Sequence, residues 1–114
     1  MEVKDMKKII GVCACPAGIA HTYMAAESLE RYGRKLGYEV KIETNGAGGV
    51  ENRLDEDDIK NADFVIIAAD TSVETERFIG KPLIETSVSE AVRNAANIFE
   101  KIANKDVEIY KGGR

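Results

Sequence analysis

Phe64-Val65-Ile66-Ile67-Ala68-Ala69 is an unbroken apolar run between Asp63 and Asp70. So short a run, closed by acidic residues at both ends, suits a strand covered on both faces, as in a parallel sheet between helices. The rest of the chain supplies the partners such a strand needs. Lys8-Ile9-Ile10-Gly11-Val12 reads as a first strand. A helical pattern over residues 19–36, with Tyr23, Met24, Ala26 and Leu29, follows it and stops at Gly37. Residues 38–44 alternate and read as the second strand, residues 45–50 as a flexible glycine-rich loop, and residues 55–61 as a short helix. Residues 82–85 form a short fourth strand, placed at a sheet edge by Pro82. The last helix covers residues 90–102, with Ala91, Val92, Ala95, Ile98, Phe99 and Ile102 on one face and Ser87 or Ser89 as its cap. Strands alternating with helices imply right-handed parallel crossovers, hence a doubly wound α/β sheet. Residues 1–104 read as one domain. Residues 105–114, with a single alternation at Val107-Glu108-Ile109-Tyr110, read as a tail: a linker or a frayed end.

The whole-chain properties exclude several function classes. A length of 114 residues fits one domain with a modest core, and 44% hydrophobic with 32% charged residues is an ordinary globular balance. A net charge of −4 argues against a general nucleic-acid binder. Basic residues are scattered rather than striped, and the longest apolar run is far too short to span a bilayer, so direct membrane insertion is not expected. The first eight residues lack the apolar stretch of a signal peptide. Cys13 and Cys15 are too close along a strand to bridge well, which favours a reduced, cytoplasmic setting. With no further cysteine and His21 as the only histidine, a metal site is not expected either.

The chemistry lies in Cys15-Pro16-Ala17-Gly18-Ile19-Ala20-His21-Thr22, which joins the first strand to the first helix. A thiol at a strand end opens a loop that offers free backbone N–H groups and the positive end of a helix dipole. Both features stabilise an anion, and the thiolate, the nucleophilic form of cysteine, is one. The same N–H groups can hold a phosphoryl group carried on sulfur, and Gly18 lets the backbone approach it. Cys15 is thus the candidate nucleophile, and Pro16, Ala17, Gly18, Ile19, Ala20, His21 and Thr22 form the candidate phosphate-binding loop. Tyrosine phosphatases use a Cys-x5-Arg-Ser/Thr loop of this layout. Here His21 stands in the arginine's place, ahead of Thr22. Without that planar fork the loop is better suited to accept and relay a phosphoryl group than to hydrolyse it.

Ala14-Cys15-Pro16-Ala17-Gly18-Ile19-Ala20-His21-Thr22-Tyr23-Met24-Ala25-Ala26-Glu27 resembles the active-site signature of the B component of fructose-type enzyme II, of the phosphoenolpyruvate-dependent sugar phosphotransferase system. Lys41-Ile42-Glu43-Thr44-Asn45-Gly46, residues 62–70 and Glu76-Arg77-Phe78-Ile79-Gly80-Lys81-Pro82 extend the resemblance from about residue 8 to residue 103. Two positions depart from it: Ala17 stands where the family usually has Thr, and Cys13 where it often has a non-thiol residue. The resemblance implies a four-stranded parallel sheet in the order 2-1-3-4. It also implies a phosphohistidine on the A component (EIIA) as donor to Cys15, and onward transfer to a sugar, fructose by preference, bound by the membrane C component (EIIC). No metal or organic cofactor is implied, and the setting is cytoplasmic, peripheral to the membrane through the C component.

Ligands in such sheets bind beyond the carboxyl ends of the strands, where Cys15, residues 45–49 and Asp70-Thr71-Ser72 should gather. Cys13 reads as packing. His21 either donates to the phosphoryl group, exchanges a proton with the thiol, or orients the loop. Thr22 contacts the loop or caps the helix, and the glycine-rich segment reads as a partner-facing or lid-like loop. Asp70 is a turn residue or a loop-positioning acceptor. Arg77 is a candidate cation near the site or on a docking surface, against a solvated side chain. Two other functions compete with the relay: a low-molecular-weight phosphatase-like hydrolase, and a non-catalytic regulatory module.

Overall fold

The computed structural model describes residues 7–15, 19–46 and 49–112. Its centre is β1 (Lys8–Ala14), flanked in parallel by β2 (Glu39–Gly46) and β4 (Phe64–Ala69). The apolar run at β4 therefore forms an interior strand, with Val65, Ile66, Ile67 and Ala68 buried. β5 (Leu83–Thr86) pairs in parallel with β4.

The four parallel strands keep the expected order, but the sheet has five strands, β3-β2-β1-β4-β5. The fifth, β3 (Gly49–Glu51), corrects the reading of residues 45–50 as a flexible loop. β2 runs on to Gly46 and turns back on itself, pairing Thr44 with Glu51, Asn45 with Val50 and Gly46 with Gly49 in antiparallel register. Gly49, which opens β3, takes a φ of 108° that L side chains avoid.

Helices cover both faces. α1 (Ile19–Lys35), α3 (Val88–Arg93) and α4 (Ala95–Ala103) lie over one face, where Ala25, Leu29, Val40, Ile42, Ile66, Ala91, Ile98 and Phe99 form one core. Close packing there leaves no space at Gly33, where a Cβ would sit 2.5 Å from Val40 Cγ2 and 3.0 Å from Phe99 Cζ. The other face is covered more thinly, by α2 (Glu56–Lys60) and a 3-10 turn at Glu76–Phe78. Ile10, Val12, Leu54, Val65, Ile67 and Phe78 make the second core. Asp55 opens α2 with a capping box, exchanging hydrogen bonds with Asp58.

Two further expectations are corrected. The single last helix is two, because Asn94 (φ −128°, ψ 41°) ends α3 and opens α4. Its side-chain amide donates to Glu90 Oε1 at 3.0 Å, one turn back along α3. Ser87 does cap α3, accepting from the Glu90 N–H. The tail is not frayed at residues 108–110. Leu83 N–H donates to Glu108 O, Tyr110 N–H to Lys81 O and Gly80 N–H to Tyr110 O. These bonds cover the outer edge of β5, which would otherwise present unpaired backbone groups.

Candidate functional site

β1 is the middle strand, so its carboxyl end opens at the centre of the sheet edge. Cys15 follows Ala14 there, 8% exposed. The Asp70 N–H donates to Ala14 O at 3.0 Å, which ties the end of β4 to the end of β1. α1 begins at Ile19, and its first turn, Ile19-Ala20-His21-Thr22, has no acidic residue to oppose an anion. Thr22 is buried, whereas Ala20 and His21 are exposed. Pro16, Ala17 and Gly18 lie outside the described residues.

Cys15 opens onto a cavity of about 460 Å³. Its walls are Ala14 at the end of β1 and Cys15 just after it, Glu43, Asn45 and Gly46 from β2, Val50 from β3, Arg53, the segment Thr71-Ser72-Val73-Glu74, and Arg77. Of the groups expected at this edge, Cys15, Asn45, Gly46, Thr71 and Ser72 come together. His21 is not among the lining residues. Asp70 is turned aside: its Oδ1 accepts from the Val88 N–H at 3.3 Å, so it acts as a positioning acceptor for α3.

Arg77 is at the site but is not a solvated side chain. Its guanidinium grips Glu43 with two bonds, Nη1 to Oε1 at 3.1 Å and Nη2 to Oε2 at 2.7 Å. It also lies over the Phe78 ring, 4.9 Å from the centroid. Glu43 is only 2% exposed and takes further bonds from Leu54 N–H at 3.0 Å and Asn45 Nδ2 at 3.4 Å. Burial pushes its carboxyl up, but the bonds from Arg77 and Leu54 outweigh burial and hold it below the usual carboxylate range. Glu43 therefore stays ionised, as a hub joining β2, the 52–54 turn and the 3-10 turn. No local pattern marks this role, because its partner is 34 residues away and Glu at an alternating strand position looks like a solvent-facing residue. Arg53 was missed for a related reason: an arginine in a polar turn has no local pattern.

Cys13 differs sharply from Cys15. It is fully buried in the core under α1, and burial, then the charge of Glu30, push its thiol up to about 12. It stays protonated at neutral pH and behaves as a small apolar side chain.

The family model described as PTS system, Lactose/Cellobiose specific IIB subunit matches residues 10–101. The Escherichia coli PTS system fructose-like EIIB component 2 is 49% identical over 98 residues, covering 85% of this chain and 92% of that protein. The Bacillus subtilis PTS system fructose-specific EIIABC component is 45% identical over 105 residues, 92% of this chain but 16% of that much longer protein. Among solved structures, a domain of the Borrelia burgdorferi fructose-specific IIABC component superposes with a TM-score of 0.88 at 40% identity, covering 93% of this chain and all of that one. By sequence and by fold, the chain belongs to the IIB subunits of the PTS sugar phosphotransferase system.

Proposed function

We propose that this chain is a phosphoryl carrier and transferase that works through a phosphocysteine at Cys15. The observation that carries this reading is the position of Cys15, at the end of the central strand, beside the start of α1 and on the wall of an open polar cavity. The loop of residues 16–22 cradles the phosphoryl group, its backbone N–H groups after Pro16, which has none, facing the phosphoryl oxygens, and positioning with charge stabilisation lowers the barrier. His21, exposed in the first turn, supports transfer without carrying the group. Asp70 and Arg77 are accessory: the first fixes α3, the second is held by Glu43 on the cavity wall. The donor is a phosphohistidine of an A component, and the acceptor is a sugar of the fructose type held by a membrane C component. No cofactor is required. Among the described residues no helix is long and apolar enough to cross a membrane, and this chain works at the cytoplasmic surface through its partner. The hydrolase reading lacks an arginine at position 21, and the relatives do not favour it.

The test is incubation with phosphoenolpyruvate, the general relay proteins and an A component, followed by localisation of the label by mass spectrometry. Label is expected on Cys15, lost in Cys15→Ser and retained in Cys13→Ser. Label that persists in Cys15→Ser and disappears in Cys13→Ser rejects the assignment.

A further inference from the structure

Three charged groups besides the cysteine stand on the cavity wall in addition to Arg53: Glu43, Glu74 and Arg77. Arg77 is engaged by Glu43, so that pair is neutral as a unit. A phosphoryl group arriving at Cys15 adds negative charge to a wall that already carries the Glu74 carboxylate. Arg53 is the remaining cation there, and among the described residues it forms no ion pair.

The backbone holds Arg53 on both sides. Asn52 sits at φ 57°, a left-handed conformation that Asn tolerates better than most residues, and its Nδ2 donates to Ile42 O at 3.0 Å. Leu54 is buried and its N–H is bound to Glu43 Oε1 at 3.0 Å. An exposed, unpaired arginine on an otherwise free turn would be unremarkable. Here the turn is anchored one residue before and one residue after it, with local strain of the kind that gathers at functional sites.

We propose that Arg53 is the guanidinium that contacts the phosphoryl group during its transfer to Cys15, with Glu43 as the positioning residue that sets the turn carrying it. The inference rests on the phosphocysteine reading. As the S–P bond forms, the P–N bond to the donor imidazole breaks. The electron pair stays on the ring nitrogen, which regains a proton from water. The three phosphoryl oxygens carry the charge throughout, and a planar fork suits them better than an ammonium does. Arg53 thereby supplies, from another element, the planar guanidinium that the loop lacks at position 21.

The experiment is single-turnover transfer from phosphorylated A component to the full chain, with saturating rate and half-saturating concentration read separately. Arg53→Ala and Arg53→Met, which keeps the apolar stem, should each lower the saturating rate roughly tenfold to hundredfold while Cys15 still becomes labelled. Arg53→Lys should recover part of the loss. Arg31→Ala, an exposed arginine on α1, should stay within about twofold of wild type. A wild-type chain that takes no label on Cys15 overturns the phosphocysteine reading and this inference together. Labelling of wild type with Arg53→Ala and Arg53→Met at the wild-type saturating rate overturns this inference alone, and so does a rise in half-saturating concentration as the sole effect.

Discussion

Along β2, Val40, Ile42 and Thr44 turn to the face under α1, α3 and α4, while Lys41, Glu43 and Asn45 turn to the face shared with α2 and the 3-10 turn. The first face is a continuous apolar core. The second carries a column of polar contacts: Lys41 on Asp58, then Glu43 on Arg77, then Asn45 at the cysteine cavity. Apolar contacts are non-directional, so the first face is held by close packing rather than by a choice of particular partners. Paired charges are directional and costly to leave unmet, so the second fixes the relative position of elements distant in sequence. One face chiefly supplies stability; the other aligns the groups around Cys15.

The sharpest way to break this division is to injure the helix-covered face alone. Phe99 is 1% exposed and stacks on Tyr32 and Tyr38, with ring centroids 5.9 Å and 5.7 Å away. Phe99→Ala should cost about 3–5 kcal/mol in urea unfolding, from lost burial and the cavity left behind. Folded protein that remains should still label Cys15. A loss of labelling in fully folded protein would show that the two faces are not separable.

Next in size is the polar face. Arg77→Met leaves the Glu43 carboxylate buried with Leu54 N–H and Asn45 as its remaining donors, and should cost about 3 kcal/mol. Adding Glu43→Gln removes the stranded charge, so the double variant should be less destabilised than the two single losses added together. Additive losses, measured as a double-mutant cycle in urea, would mean that the pair is not coupled. Transfer should fall in both variants even where folding is complete, unlike in Phe99→Ala.

The two faces also differed in how far they could be read from sequence. The apolar face announces itself locally: the run at residues 64–69, which gives it Ile66 and Ala68, the 3.6-residue spacing of α1 and the Gly37 stop all rest on neighbours in the chain. The strand order and the place of Cys15 follow from the same alternation and from the resemblance. The polar face was largely illegible, because Glu43–Arg77 and Lys41–Asp58 join residues 34 and 17 apart and no periodicity encodes them. The hairpin at residues 45–50 and the docked tail were misread for a related reason. Each short segment is held by backbone pairing only because an open sheet edge is there to receive it. Asn94 shows the opposite failure. The apolar spacing runs through it unbroken, while a single residue with non-helical backbone, φ −128° and ψ 41°, divides the helix.

The smallest effect concerns the lower end of the polar column. Asp58 is 9% exposed and accepts from Lys41 Nζ at 2.6 Å, Lys8 Nζ at 3.3 Å and Asp55 N–H at 3.0 Å. The Lys41 bond first, then the Asp55 N–H, hold its carboxyl well below the usual carboxylate range. Its pKa is therefore lower in the folded chain than in the unfolded one, near 4. Such a group stabilises the fold fully above the unfolded value, and the contribution is lost as pH falls toward the folded one. Glu43 is shifted in the same direction and adds to the same loss. Urea midpoints should thus fall steadily from about pH 5 downward. Asp58→Asn should cost about 1–2 kcal/mol at neutral pH and flatten that fall. Because the site sits at the other end of the column, the variant should leave labelling of Cys15 at pH 7 unchanged. An acid profile parallel to wild type would place the titrating charge elsewhere, and Glu43→Gln would then be the variant to flatten it.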